Sequence, residues 1–203
     1  DGVDNIANVN ITAKSENIEG PDNAYVLLDA EYGEVYVLAE AEGASNSNSA
    51  AVNINADYNV ELYADEYGEV YVEALASNLY GEYPQAVTND AGVTVNAGTD
   101  VEVRAEYDSD AEINAEASYG VDNTADVDVT ANEGNVDVYA RESSNAEIGA
   151  SAENAENNNT ATVDVTAKRA TVEDVKQGHV NVTAQDDSSA WIYSETYDAG
   201  MNN

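Results

Sequence analysis

Residues 123 to 152 read NTADVDVTANEGNVDVYARESSNAEIGASA, and the fold turns on this stretch. Within it ADVDVTA (125–131), VDVYA (136–140) and AEIGASA (146–152) each put apolar residues at one parity and Asp, Thr, Tyr, Glu, Gly or Ser at the other. A period of two places one side of a chain in a core and the other in water, which is the pattern of a half-buried strand and not of a helix. The connectors NEGN and RESSN are made of residues that tolerate turn conformations. The stretch therefore predicts three short strands joined by tight corners.

The same unit recurs on both sides. First strands are ANVNITA (7–13), AAVNINA (50–56), AGVTVNA (91–97), ADVDVTA and ATVDVTA (161–167). Second strands run from Val26 to Ala30, Val60 to Ala64, Val101 to Ala105, Val136 to Ala140 and Val180 to Ala184. Third strands are VYVLAEA (35–41), VYVEALA (70–76), AEINAEA (111–117), AEIGASA and the divergent AWIYSET (190–196). Repeats thus begin near 7, 50, 91, 125 and 161, and DAEYGEVYV (29–37) is nearly identical to ADEYGEVYV (64–72), which points to duplication. No Pro-rich or Gly/Ser-only linker interrupts them, so residues 1–203 read as one repeat domain.

Two all-β architectures fit. In a β-solenoid of about five three-stranded repeats, each repeat is one turn and equivalent residues stack in columns. Val9, Val52, Val93, Val127 and Val163 would form one column, and Val37, Val72, Ile113, Ile148 and Ile192 another. An antiparallel β-sheet or sandwich is the alternative, with hairpins at the same short connectors. The solenoid is preferred because matched columns follow directly from stacking. Small Ala39, Ala74, Ala115 and Ala150 read as a tapering corner at the ends of the third strands.

Composition removes several functions. Forty-one acidic residues against six basic ones leave a formal charge of −35, which repels nucleic-acid phosphates and anionic lipid headgroups. No apolar run is long enough to span a membrane as a helix. With no Cys and a single His179, the chain can build no thiolate zinc site, cysteine nucleophile or histidine cluster. The carboxylates are spread over every repeat, so no catalytic set stands out and a non-enzymatic role is expected. The start at Asp1-Gly2, without an initiator Met, reads as a processed, secreted form.

The surface carries three candidate features. Stacking sets Asp128 over Asp164, and neighbouring charges at the ~4.8 Å rung spacing repel unless cations screen them. Calcium is the cation expected there and at the acidic corners, where Glu31, Glu34, Glu66, Glu69, Asp108 and Asp110 offer hard oxygen ligands. Tyr36, Tyr71, Tyr63 and Tyr139 lie on outward parities, and Trp191 takes the place of Tyr36 in the last repeat; all five are candidate contacts between copies. Asn10, Asn158 and Asn181 open Asn-x-Ser/Thr sequons, candidate glycan acceptors. Half of the basic residues (Lys168, Arg169 and Lys176) lie in one segment that ends at His179, and it could dock onto the acidic face of a neighbouring copy.

In rhythm and composition, over its whole length, the chain resembles two kinds of extracellular protein. One is the β-helical repeat region of filamentous haemagglutinin-like adhesins, and this resemblance implies a rigid stalk. The other is the family of major sheath proteins of filamentous methanogenic archaea of the Methanothrix type, and this one implies self-assembly into an amyloid-like tube around cells. A short repeat array with open ends can add copies end to end through main-chain hydrogen bonds, so the expectation is a self-assembling extracellular homopolymer, a fibre, hoop or sheath, with the adhesin stalk as the alternative.

Overall fold

The period-two segments all become strands, and each pairs in parallel with its counterpart one repeat away. The computed structural model describes residues 4–14, 25–43, 47–78, 87–155, 158–167 and 180–197. The first turn is β1 (Asp4–Ala13), β2 (Val26–Glu31) and β3 (Glu34–Glu42); the second is β4 (Ser47–Ala56), β5 (Val60–Asp65) and β6 (Glu69–Ser77). The third is β7 (Thr88–Ala97), β8 (Val101–Glu106) and β9 (Asp110–Ser118), and the fourth β10 (Asp122–Ala131), β11 (Val136–Arg141) and β12 (Asn145–Glu153). The fifth is β13 (Asn158–Ala167), β14 (Val180–Ala184) and β15 (Ser189–Tyr197).

Equivalent strands form three five-stranded sheets: A from β1-β4-β7-β10-β13, B from β2-β5-β8-β11-β14 and C from β3-β6-β9-β12-β15. The chain is a β-solenoid, and the antiparallel alternative is excluded because every strand pair is parallel. The register matches the expected columns, Val9 with Val52, Val127 with Val163, and Val37 with Val72.

Sheets A and C face each other and sheet B closes the third side. In the second turn the inward set is Ala50, Val52, Ile54 and Ala56 from sheet A, Val70, Val72, Ala74 and Ala76 from sheet C, and Val60, Leu62 and Ala64 from sheet B, all buried. Third strands run one residue beyond each end of the sequence pattern, so Ala39, Ala74, Ala115 and Ala150 sit in mid-strand and not at a corner. Paired with Ala41, Ala76, Ala117 and Ala152, they keep the inward surface of sheet C shallow where sheet A lies against it.

Two polar stacks pin the turns to each other. Asn5, Asn48, Asn89, Asn123 and Asn159 occupy one register position of sheet A, and the last four are buried. An amide has two N–H groups, and Asn48, Asn89 and Asn123 use both. Asn48 donates to the Ser77 carbonyl at 2.8 Å and to Asn89 Oδ1 at 2.9 Å; Asn123 donates to the Glu153 carbonyl at 2.6 Å and to Asn159 Oδ1 at 3.2 Å. The ladder thereby adds a side-chain donor to the carbonyls that end the third strands, of which Ser77 and Ser118 also accept from the Gly43 and Asn78 backbone N–H groups at 3.2 Å.

The second stack is the corner between sheets B and C. Glu66-Tyr67, Tyr107-Asp108, Glu142-Ser143 and Asp186-Asp187 are consecutive pairs in the left-handed region, a conformation that costs roughly 1–2 kcal/mol for each non-glycine residue. Hydrogen bonds between corners offset that cost. Tyr67, Asp108 and Ser143 N–H groups donate to the Tyr107, Glu142 and Asp186 carbonyls at 3.1, 2.9 and 3.1 Å, and Ser109 and Ser144 N–H groups donate to the next serine hydroxyl at 3.1 Å.

At Gly68 an added Cβ would lie 2.0 Å from the Ala30 carbonyl oxygen, because the first-turn corner, Tyr32-Gly33, is one residue shorter; at Gly33 the nearest atom is 3.9 Å away. Gly68→Ala is expected to cost about 2–3 kcal/mol by forced displacement of backbone, and Gly33→Ala well under about 1 kcal/mol, read from denaturant midpoints. Asn89→Ala, which breaks two rungs of the ladder and takes buried partners from the Asn48 amide N–H and the Asn123 Oδ1, is expected to cost about 2–3 kcal/mol in the same measurement.

Candidate functional site

Because rungs are stacked, each outward position becomes a column, and three surfaces follow. The first is the outward face of sheet C. One column there runs Tyr36, Tyr71, Glu112, Glu147, Trp191. The Tyr36 and Tyr71 rings stack with centroids 4.9 Å apart and planes at 18°. Glu112 and Glu147 then meet as like charges on adjacent strands. Burial, followed by Glu147, Glu73 and Asp110, pushes the Glu112 carboxyl up to about 7, against a smaller downward pull from Asn114. Burial also raises Glu73, Asp110 and Glu116. Gly149 leaves room on this face for the Tyr193 ring, whose hydroxyl donates to Glu147.

The second surface is the outward face of sheet B. Arg104 lies between Tyr63 and Tyr139, its guanidinium carbon 5.4 Å from each ring centroid. It is 3.5 Å from Glu102 and pairs with Glu106, which also takes Arg141 and is only 2% exposed. Arg141 in turn covers Tyr107 at 5.0 Å. Two of the chain's six basic residues therefore neutralise one corner of this face. The sequence pattern marked Tyr63 and Tyr139 as outward contacts; the structure gives both rings a cation from their own chain, and Asp65 accepts from the Tyr63 hydroxyl at 3.0 Å.

The third surface is the pair of ends. β1, β2 and β3 are the outer strands of the three sheets at one end, and β13, β14 and β15 at the other. The core columns run out to solvent there. Val9, Ile11, Val163, Val165 and Ile192 are only partly buried, and Val182 is 47% exposed, whereas their counterparts in the middle turns are buried. Trp191 (56% exposed) and Tyr36 (52%) sit in one column at opposite ends.

The candidate calcium ligands do not converge. Glu34, Glu69 and Asp110 share a column, whereas Glu31 pairs with Asp65, and Glu66 and Asp108 occupy the two successive left-handed corner positions. Asp128 and Asp164 are in register and exposed, each accepting from a threonine two residues on, Thr130 and Thr166, at 3.2 Å. Among the described residues no three Asp, Glu or His side chains are grouped so as to hold a metal ion. The sequon asparagines are outward and in the two end turns: Asn10 accepts from Asn53 at 3.1 Å, Asn158 donates to Asp122 at 2.7 Å, and Asn181 donates to Asp137. Lys168, Arg169, Lys176 and His179 lie outside the described residues.

Sequence reasoning missed the Arg104 clamp, the Glu106 bridge and the asparagine ladder. The ladder had a visible signal, an Asn two places before the first-strand Ala of every repeat. No protein-family model, curated protein or solved structure matches the chain.

A raised carboxyl couples stability to pH. The unfolded Glu112 ionises in the ordinary carboxylate range and the folded one near 7, so the unfolded state loses its proton first and folded stability falls as pH rises between those values. The melting temperature is expected to be several degrees higher at about pH 5 than at about pH 8, and Glu112→Gln should flatten that slope without lowering the value at the higher pH.

Proposed function

We propose that this chain is an extracellular structural protein whose copies add to one another by β-strand stacking, giving a fibre, hoop or sheath around cells. The observation that carries the reading is the pair of ends: all three sheets end on an outer strand at each one, and the valine and isoleucine columns continue to the outermost strand, the sheet C alanine columns changing only to Ser194 and Thr196. Outer strands present unpaired backbone donors and acceptors, and a stack of parallel in-register strands is the arrangement that extends most readily by adding another.

Charge supplies the control. A chain at −35 repels its own copies, with a range set by the Debye length, about 8 Å at physiological ionic strength. Salt and divalent cations such as calcium therefore favour assembly by screening the acidic columns, with no need for a coordinated site. The aromatic columns on sheet C supply further contact area between copies.

Electron microscopy of the purified protein, with and without millimolar calcium, tests this. Fibres, hoops or tubes with a ~4.8 Å repeat along the stacking axis are expected, more abundant with the cation and fewer after chelation. Monodisperse particles in both conditions would overturn the reading in favour of a stalk segment whose neighbouring turns belong to a longer adhesin.

A further inference from the structure

We propose that copies join head to tail in a single register, β13, β14 and β15 of one copy pairing in parallel with β1, β2 and β3 of the next, so that Trp191 stacks on Tyr36 of the following copy. The proposal rests on the self-assembly reading and specifies its contact.

The internal registers define what such a contact would bring together. Continued by one turn, the sheet A alignment sets Val163 against Val9 and Val165 against Ile11; the sheet B alignment sets Val180 against Val26 and Val182 against Leu28; and the sheet C alignment sets Ile192 against Val37. Each of these pairs is apolar on apolar. The asparagine ladder continues too, with Asn159 beside Asn5 of the next copy.

Charge excludes one symmetric junction, between two first turns, and parallel strand direction excludes both symmetric ones. Internal rungs tolerate acid against acid: Glu34–Glu69 and Glu31–Asp65 between the first two turns, Glu61–Glu102 and Glu69–Asp110 between the next two. Glu102–Asp137 and Glu112–Glu147 follow, then Asp128–Asp164 between the last two turns. The strands of the fifth turn carry only Asp164 and Glu195, whereas those of the first carry Asp4, Asp29, Glu31, Glu34, Glu40 and Glu42. Head to tail, the junction holds a single acid–acid pair, Glu195 with Glu40, the same load as the last internal rung. Joining two first turns would set six acids against six and make the strands antiparallel, against the pattern of every internal pair. A heterologous contact of this kind leaves a first-turn face free at one end of the polymer and a fifth-turn face at the other, so it propagates.

The aromatic column makes the register readable. Tyr36 already stacks on Tyr71 at 4.9 Å, so the column spacing admits ring on ring, and the junction would extend that pair to three rings with Trp191. Trp191 is the chain's single tryptophan, so its fluorescence reports the junction alone.

The continued register also sets the exposed Thr183 against Asp29 of the next copy. Thr183→Glu should raise the critical concentration for polymer formation about tenfold, and adding Asp29→Lys in the same chain should restore it. In wild-type polymer, quenching of Trp191 by acrylamide should fall several-fold relative to the monomer. Polymer that forms with Thr183→Glu at an unchanged critical concentration, or in which Trp191 stays as quenchable as in the monomer, overturns the register while leaving self-assembly intact. Wild-type protein that forms no polymer at all overturns both.

Discussion

Everything in this molecule depends on parallel, in-register hydrogen bonding between successive turns. Once strands one repeat apart pair at the rung spacing, no side chain is free to choose its neighbour: each meets its equivalents above and below. The core then follows from like on like, valine on valine and isoleucine on isoleucine, with alanine where sheets A and C come close. Polar residues can enter only if their own stack satisfies them. The asparagine column does so because an amide has two donors and an acceptor, enough to cap a carbonyl and reach the next rung together.

The same constraint makes charge the main liability. An acid repeated in a column repels itself along the axis, and the longest acidic runs stop after three turns: Asn145 follows Glu34, Glu69 and Asp110, and Asn181 follows Glu61, Glu102 and Asp137. On sheet B the centre of the outward face alternates Asp29, Tyr63, Arg104, Tyr139 and Thr183, which gives each ring a cation and the cation two rings. At the adjacent, half-buried pair Glu112 and Glu147 on sheet C, the molecule answers with a proton held near neutral pH. Removing charge by protonation and by ion pairing are two solutions to one problem.

How much of this was legible in the sequence depends on whether a feature repeats in kind. The columns of Val9 and Val37 were readable because each turn uses a similar residue at the same parity. Asn5, Asn48, Asn89, Asn123 and Asn159 repeat even more strictly, yet asparagine is also a turn residue and 25 of them dilute the signal, so burial was needed to tell ladder from loop. Arg104 was invisible because its column repeats nothing. The left-handed corner pairs were hidden for another reason: Glu, Tyr and Ser ordinarily avoid that region, and they occupy it here because the hydrogen bonds of the turn above hold them there. Pattern conveys what is uniform along the axis, and the chemistry lies where uniformity is broken.

That argument bears most strongly on the ends, where the same residue types meet solvent instead of a neighbour. A junction there would pair three strands at once, adding many backbone hydrogen bonds worth about 0.5–1.5 kcal/mol each along with the burial of half-exposed valines and isoleucines. Against this stand the loss of translational and rotational freedom, of order 4–15 kcal/mol, and the mutual repulsion of two strongly acidic bodies. The first set of terms is fixed by the strand edges and barely responds to the medium. Repulsion does respond, because it is screened by salt and reduced by protonation of groups such as Glu112. Charge-poor strands in the last turn lower the local part of it, and the distributed part is left to the solvent. In the proposed head-to-tail contact, short-range complementarity thus sets which faces meet, and long-range charge sets when they do.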